Sequence, residues 1–188
     1  MGKRVLEKKM EQFIDAKLAN NGLAIHAIET KDARTVFRLA AESCVGIKES
    51  SYNAGTYIEL IQKTVDGSAD REPYCMAAIQ TWLAYAEKKT GIKSLIYASE
   101  HCQTVFNETP KSCRVKKIPA TGAIVVWKHG NTSSGHTGVM LEWNDKKMGT
   151  CEANTGDGNM ADGEGIYYRT RSTTATGNMR VMGFLRPF

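Results

Sequence analysis

Apolar positions recur at helical spacing through the first 110 residues of the chain and in short strand-like runs after that. Leu6, Met10, Phe13, Ile14 and Leu18 form one stripe, with Lys3, Lys8, Lys9 and Glu11 elsewhere around the wheel. This predicts an amphipathic helix over 3–20 that stops near Asn20-Asn21-Gly22. A second helix is predicted over 32–44, with Val36, Phe37, Leu39 and Ala40 inward and Gly46 just past its end. A third follows Asn53, with Tyr57, Ile58, Ile61 and Val65 inward and a turn at Asp66-Gly67-Ser68. The fourth, over 73–90, opens on Pro73, carries Met76, Ile79, Leu83 and Ala86 on its inner face and closes at Gly91. A short helix over 99–107 completes the series. β-rich runs then cover 123–127, 137–143, 147–153, 165–170 and 180–185, and they read as one antiparallel sheet. Helices followed by strands make the fold class α+β, with the sheet packed against the 73–90 helix.

Composition narrows the class without changing this picture. The 188 residues are 41% hydrophobic and 24% charged, ordinary for one compact domain and too apolar for a disordered chain. No run is long and apolar enough for a signal peptide or a membrane span, so the expected site of synthesis is the cytoplasm, with no stable membrane insertion. The net charge of +5 includes Lys111, Arg114, Lys116, Lys117 and Lys128, a patch that suits a polyanionic partner such as a cell envelope. No motif with interleaved aromatics accompanies the patch, so nucleic acid is not the expected partner. Five cysteines, an odd number without CxxC pairs, predict reduced thiols rather than a disulfide scaffold or zinc ribbon. Cys102 and Cys113 are the pair considered for an oxidised form.

The candidate chemistry centres on Cys75. A nucleophilic cysteine must be a thiolate, and the positive end of a helix dipole together with a nearby imidazolium lowers the thiol pKa from about 8.5. Cys75 stands two residues after the proline that opens the fourth predicted helix, whereas Cys44 and Cys151 read as small buried apolar side chains. The base should be an imidazole on a rigid strand, and His136 in Gly135-His136-Thr137-Gly138-Val139 meets that condition. His26, His101 and His129 have no partner motif. An acceptor must orient the imidazole, and Cys151-Glu152-Ala153-Asn154 offers two. Strand alternation puts Glu152 and Asn154 on one face, with Glu152 the orienter and Asn154 supporting either the loop or the His–Glu pair. Tyr74, beside the nucleophile, and Trp82 are the candidate substrate contacts. Trp127 and Trp143 are further aromatics that more often belong to a core.

Four ordered motifs carry a resemblance. Glu72-Pro73-Tyr74-Cys75-Met76-Ala77-Ala78, Ala120-Thr121-Gly122-Ala123-Ile124-Val125-Val126-Trp127, Gly135-His136-Thr137-Gly138-Val139 and Glu152-Ala153-Asn154-Thr155 together resemble the series of the CHAP family, the cysteine, histidine-dependent amidohydrolases/peptidases. Cys44 to Glu49 with Tyr52-Asn53 is similar to the lead-in of phage CHAP hydrolases, and Met182 to Pro187 to their closing strand. Ala78, Gln80 and the alanine of Thr121-Gly122-Ala123 depart from the family pattern. The resemblance implies a papain-like fold, with a helical extension over 1–35 packed on a catalytic unit over 36–188. It also implies a Cys-His-acid site that cuts an amide bond of bacterial peptidoglycan, as an N-acetylmuramoyl-L-alanine amidase or a stem-peptide endopeptidase. The leading expectation is a monomeric phage endolysin that reaches the periplasm or cell wall after release. A delivered antibacterial toxin, a virion-associated lysin, an amidase acting on another conjugate and a non-catalytic wall-binding or structural protein are the alternatives.

No cofactor or metal enters this reading. The stretch from Asn154 to Gly165 is rich in oxygen ligands, but Ala161 breaks the register of a calcium loop, and a hairpin loop beside the site is expected instead. Phosphate loops, GxSxG elbows and HExxH helices do not occur.

Overall fold

A computed structural model of the chain describes residues 3–117, 120–156 and 163–188. The stretch 157–162, the middle of the expected hairpin loop and of the calcium reading, lies outside them, as do residues 118–119. Among the described residues are six helices: α1 (Lys8–Leu18), α2 (Gly22–Glu29), α3 (Ala33–Ser43), α4 (Thr56–Asp66), α5 (Cys75–Thr90) and α6 (Cys102–Glu108). Seven strands follow: β1 (Arg114–Val115), β2 (Ile124–His129), β3 (Gly135–Trp143), β4 (Lys147–Thr155), β5 (Gly165–Ser172), β6 (Ala175–Thr176) and β7 (Met179–Leu185). They form one antiparallel sheet in the order β1-β7-β2-β3-β4-β5, with β6 paired to β7, so the molecule is a compact α+β fold.

The core is organised around α5. Helices α3 and α4 pack along it, and it rests on β3 and β4. Met76, Ile79, Trp82, Leu83 and Ala86 are fully buried, and burial of each large side chain stabilises the fold by about 2 kcal/mol. Ala77 and Ala78 are equally buried, so α5 is enclosed on nearly every side rather than along one stripe. Gly91 ends it in the left-handed conformation at φ +74°. Pro73 precedes the helix instead of lying in its first turn, and Cys75 is the first helical residue.

A second apolar layer of Val125, Trp127, Met140, Met148 and Phe184 covers the other face of the sheet. Two short elements and one helix had no sequence expectation: β1, β6 and α2. The expected 3–20 helix begins later, at Lys8, because Glu7 is extended and Val5 N–H donates to the Thr64 carbonyl at 2.8 Å. The boundary at residue 35 falls inside α3, and Met10, Ile14 and Leu18 of α1 share the core with Phe37 and Ala40 of that helix. No helix among the described residues is long and apolar enough to cross a membrane.

Candidate active site

The start of α5 meets the start of β3. Cys75, at the first position of the helix, is 5% exposed, and its sulfur lies near enough to the His136 imidazole for each to shift the ionisation of the other. His136, second residue of β3, gives its Nε2 to Glu152 Oε2 at 2.9 Å, which leaves Nδ1 as the ring nitrogen for the sulfur. The ring also stacks on Trp127, its cross-strand partner, at 5.8 Å between centroids.

Glu152 is fully buried. Along β4 its neighbours Cys151 and Ala153 enter the core shared with α5, so the glutamate projects to the other side, over Gly138 of β3. A Cβ on Gly138 would lie 2.7 Å from Glu152 Cγ, so the bare backbone there is what admits the carboxylate. Three side chains then hold it: His136, Thr150 Oγ1 at 2.5 Å, and Arg171, whose Nε and Nη2 reach both oxygens at 2.5–3.2 Å. Arg171 was not among the residues expected from sequence. It is a strand arginine in a run with Arg169, and nothing in the sequence separates a cation that clamps a buried carboxylate from one that faces water.

The electrostatics follow from this arrangement. Burial opposes ionisation of Glu152, but its bonds to Arg171 and His136 win and bring it from 4.5 to about 2. Burial also opposes the imidazolium, yet hydrogen bonds and charge from Cys75 and Glu152 raise His136 from 6.5 to about 10. The Cys102 thiol, 3.7 Å from Cys75 Sγ, is the largest influence lowering Cys75, and His136 and the Met76 N–H act in the same direction against burial. These directions together favour a thiolate–imidazolium pair braced by a carboxylate. By contrast, burial pushes Cys44 up to about 12 and also raises Cys151, as suits inert core thiols.

Tyr74 and Trp82 take other roles than those expected, and Asn154 leaves the Glu152 face. The β4–β5 register shifts between Ala153 and Thr155, and Asn154 sits in this irregularity with φ +54°, so alternation no longer sets it on the Glu152 face. Tyr74 is fully buried, and its hydroxyl donates to Glu49 Oε1 at 2.9 Å, tying the 49–55 loop to the start of α5. It cannot contact substrate. Neither can Trp82, which is fully enclosed and donates its indole N–H to Cys44 Sγ at 3.3 Å. His129, at the end of β2, is close enough to feel the charges of His136 and Cys75, although burial is the main cause of its lowered pKa. The sulfur beside Cys102 belongs to Cys75, not Cys113.

Three surface clefts, beside Arg34 and Arg186, beside Arg38 and Tyr168, and between α1 and the 45–57 segment, are lined by none of Cys75, His136 and Glu152. Among the described residues, no three His, Cys, Asp or Glu side chains gather as a metal site. No protein-family model matches the chain, and no curated protein matches it.

Proposed function

We propose that the protein is a cysteine amidohydrolase of the CHAP type, with a papain-like arrangement of helix and sheet, that cuts an amide bond of bacterial peptidoglycan. The observation that carries this reading is the geometry of one nucleophile and two supporting groups. Cys75 opens a buried helix against His136, and the far nitrogen of that imidazole is held by an ionised, fully buried Glu152. A structural cysteine has no need of such a partner set.

In the proposed reaction the Cys75 thiolate attacks the amide carbonyl carbon while the carbonyl π electrons move to oxygen. The N–H groups of the first turn of α5 lack intrahelical acceptors and stabilise that oxyanion. Collapse breaks the C–N bond, the His136 imidazolium gives its proton to the leaving nitrogen, and an acyl thioester remains on Cys75. Neutral His136 then takes a proton from water, the hydroxide displaces the thiolate, and the ion pair is restored. Glu152 keeps the ring oriented and its charge matched throughout. The net charge of +5 and the basic residues from Lys111 to Lys128 favour approach to an anionic wall, and a phage endolysin is the role we assign to such an enzyme.

The test uses purified Gram-negative peptidoglycan with the intact protein and with Cys75→Ala. Turbidity should fall only with the intact protein, and mass spectrometry of the fragments should show new amino or carboxyl termini that name the bond. Clearing by both proteins, or by neither, overturns the assignment.

A further inference from the structure

Cys102 is a reactive group beside Cys75 that the proposed hydrolysis does not use. It opens α6, is 6% exposed, and presents its sulfur 3.7 Å from that of Cys75. The placement is built. Gln103 Nε2 donates to the Thr132 and Ser134 carbonyls at 2.9 and 2.7 Å, pinning α6 to the hairpin between β2 and β3. Gly135 leaves room for it, since a Cβ there would lie 3.0 Å from Cys102 Cβ and 2.6 Å from the Trp127 carbonyl oxygen. The remaining cysteines have no such pairing: Cys44 and Cys151 are sealed in the core, with the Trp82 indole N–H and the Ala41 carbonyl as their respective partners, and the sulfur of Cys113 lies beside the Ser112 hydroxyl.

Two sulfurs in van der Waals contact need to close by under about 2 Å to reach bonding distance, a movement within the reach of side-chain rotation. We propose that Cys75 and Cys102 are an oxidisable pair, which hydrogen peroxide or another peroxide joins in a disulfide that withdraws the nucleophile and which a thiol reductant reopens. This rests on reading Cys75 as the nucleophile. The Cys75 thiolate attacks one peroxide oxygen, the O–O bond breaks and hydroxide leaves, giving the sulfenic acid. Cys102 then loses its proton to that hydroxide and attacks the Cys75 sulfur. The S–S bond forms as the S–O bond breaks, and the departing hydroxide is protonated by solvent, so two thiols and one peroxide become a disulfide and two waters. A resolving thiol already in contact intercepts the sulfenic acid before a second peroxide can take it to the irreversible sulfinic acid.

The experiment treats the full-length protein with hydrogen peroxide, blocks remaining thiols with iodoacetamide, and maps the non-reduced digest by mass spectrometry. The expected product joins the Cys75 and Cys102 peptides with the loss of two hydrogens. Alkylation of Cys75 should fall at least about tenfold and return after dithiothreitol. In Cys102→Ser, and in Cys102→Ala as a second variant checked for native circular dichroism, peroxide should instead carry Cys75 to sulfinic acid that dithiothreitol does not reverse. Sulfinic acid at Cys75 of the unaltered protein, a cross-link to another cysteine, or unchanged alkylation would overturn the proposal. Mapping needs no substrate, so absence of peptidoglycan cleavage by the reduced protein would count against the hydrolase reading alone.

Discussion

A carboxylate without solvent exposure persists as an anion only while its partners replace water, and for Glu152 the hydrogen bond from Arg171 is the leading one. Removing one member of a buried ion pair costs about 3–5 kcal/mol because the other charge is stranded. Arg171→Met is therefore expected to lower the urea-unfolding free energy by about that amount, and adding Glu152→Gln to it should recover part of the loss. The pH dependence has a definite sign. Glu152 is held at about 2 against an ordinary 4.5, so its contribution is fully present above pH 4.5 and is lost as pH falls through 2. The deficit of Arg171→Met relative to the unaltered protein should thus narrow in acid, and a deficit that grew there would refute the clamp.

His136 supplies a complementary measurement. Its rise to about 10 needs both the Cys75 thiolate and the Glu152 carboxylate, so the stability tied to the imidazolium is present below pH 6.5 and lost as pH rises through 10. In Cys75→Ala the imidazole should titrate at lower pH by NMR, and an unchanged midpoint would mean that the sulfur is not its partner. The placement of Cys75 and His136 was readable because a proline just ahead of a helix and a strand-opening GHTG are local signals. Arg171 was not readable, since its partner lies 19 positions back along the chain and reaches it only through strand pairing.

The elements show the same division between local and long-range signals. Both glycines of Gly135-His136-Thr137-Gly138 make room for a neighbouring element, Gly135 for α6 and Gly138 for the Glu152 side chain of β4. Gly138→Ala would push its new methyl against both Glu152 Cγ and the Cys151 carbonyl oxygen, 3.0 Å away. Under the proposed function, turnover of peptidoglycan should fall by at least about tenfold through loss of imidazole orientation, while the far-ultraviolet circular dichroism keeps its native form. Helix α2 escaped the sequence reading because Asn20-Asn21-Gly22 looks like the end of one helix, yet Asn21 also caps the next by accepting the Ala24 N–H. Its exposed Leu23 and Ile25 further blur any apolar stripe. Asn154 escaped for the opposite reason, because an irregular strand end breaks the two-residue alternation on which its assignment rested. The periodic face of α5 was visible, but its full enclosure was not, and this is why Trp82 belongs to the core rather than to a groove.

At the scale of the whole molecule, the enclosure of α5 makes the N-terminal segment part of the packed unit that carries Cys75. Arg4 enters the interior with only 5% of its side chain exposed, donating to Gln80 Oε1, to Glu87 and to the Ile96 carbonyl. Gln80, one of the positions that departs from the resembled pattern, uses its amide nitrogen to hold the Tyr97 and Ser99 carbonyls at 3.0 Å, so it joins the N-terminal segment to the chain leading into α6. Loss of residues 1–21 would remove these bonds and expose the core surface now covered by Met10, Ile14 and Leu18. At about 2 kcal/mol for each buried apolar side chain, with Glu87 also deprived of its partner, the sum rivals the roughly 5–15 kcal/mol stability of a whole domain. A chain beginning at residue 22 should accordingly show poorly dispersed amide resonances and no cooperative thermal transition, whereas the exposed Lys3→Ala should melt like the unaltered protein. Cooperative folding of the shortened chain with its Cys75 still rapidly alkylated would mean that α1 is an accessory after all. Failure to fold would mean that the site at the start of α5 is held together from both ends of the sequence, since Ser94, on the segment after that helix, also donates to the carbonyl of Pro187 at 2.6 Å.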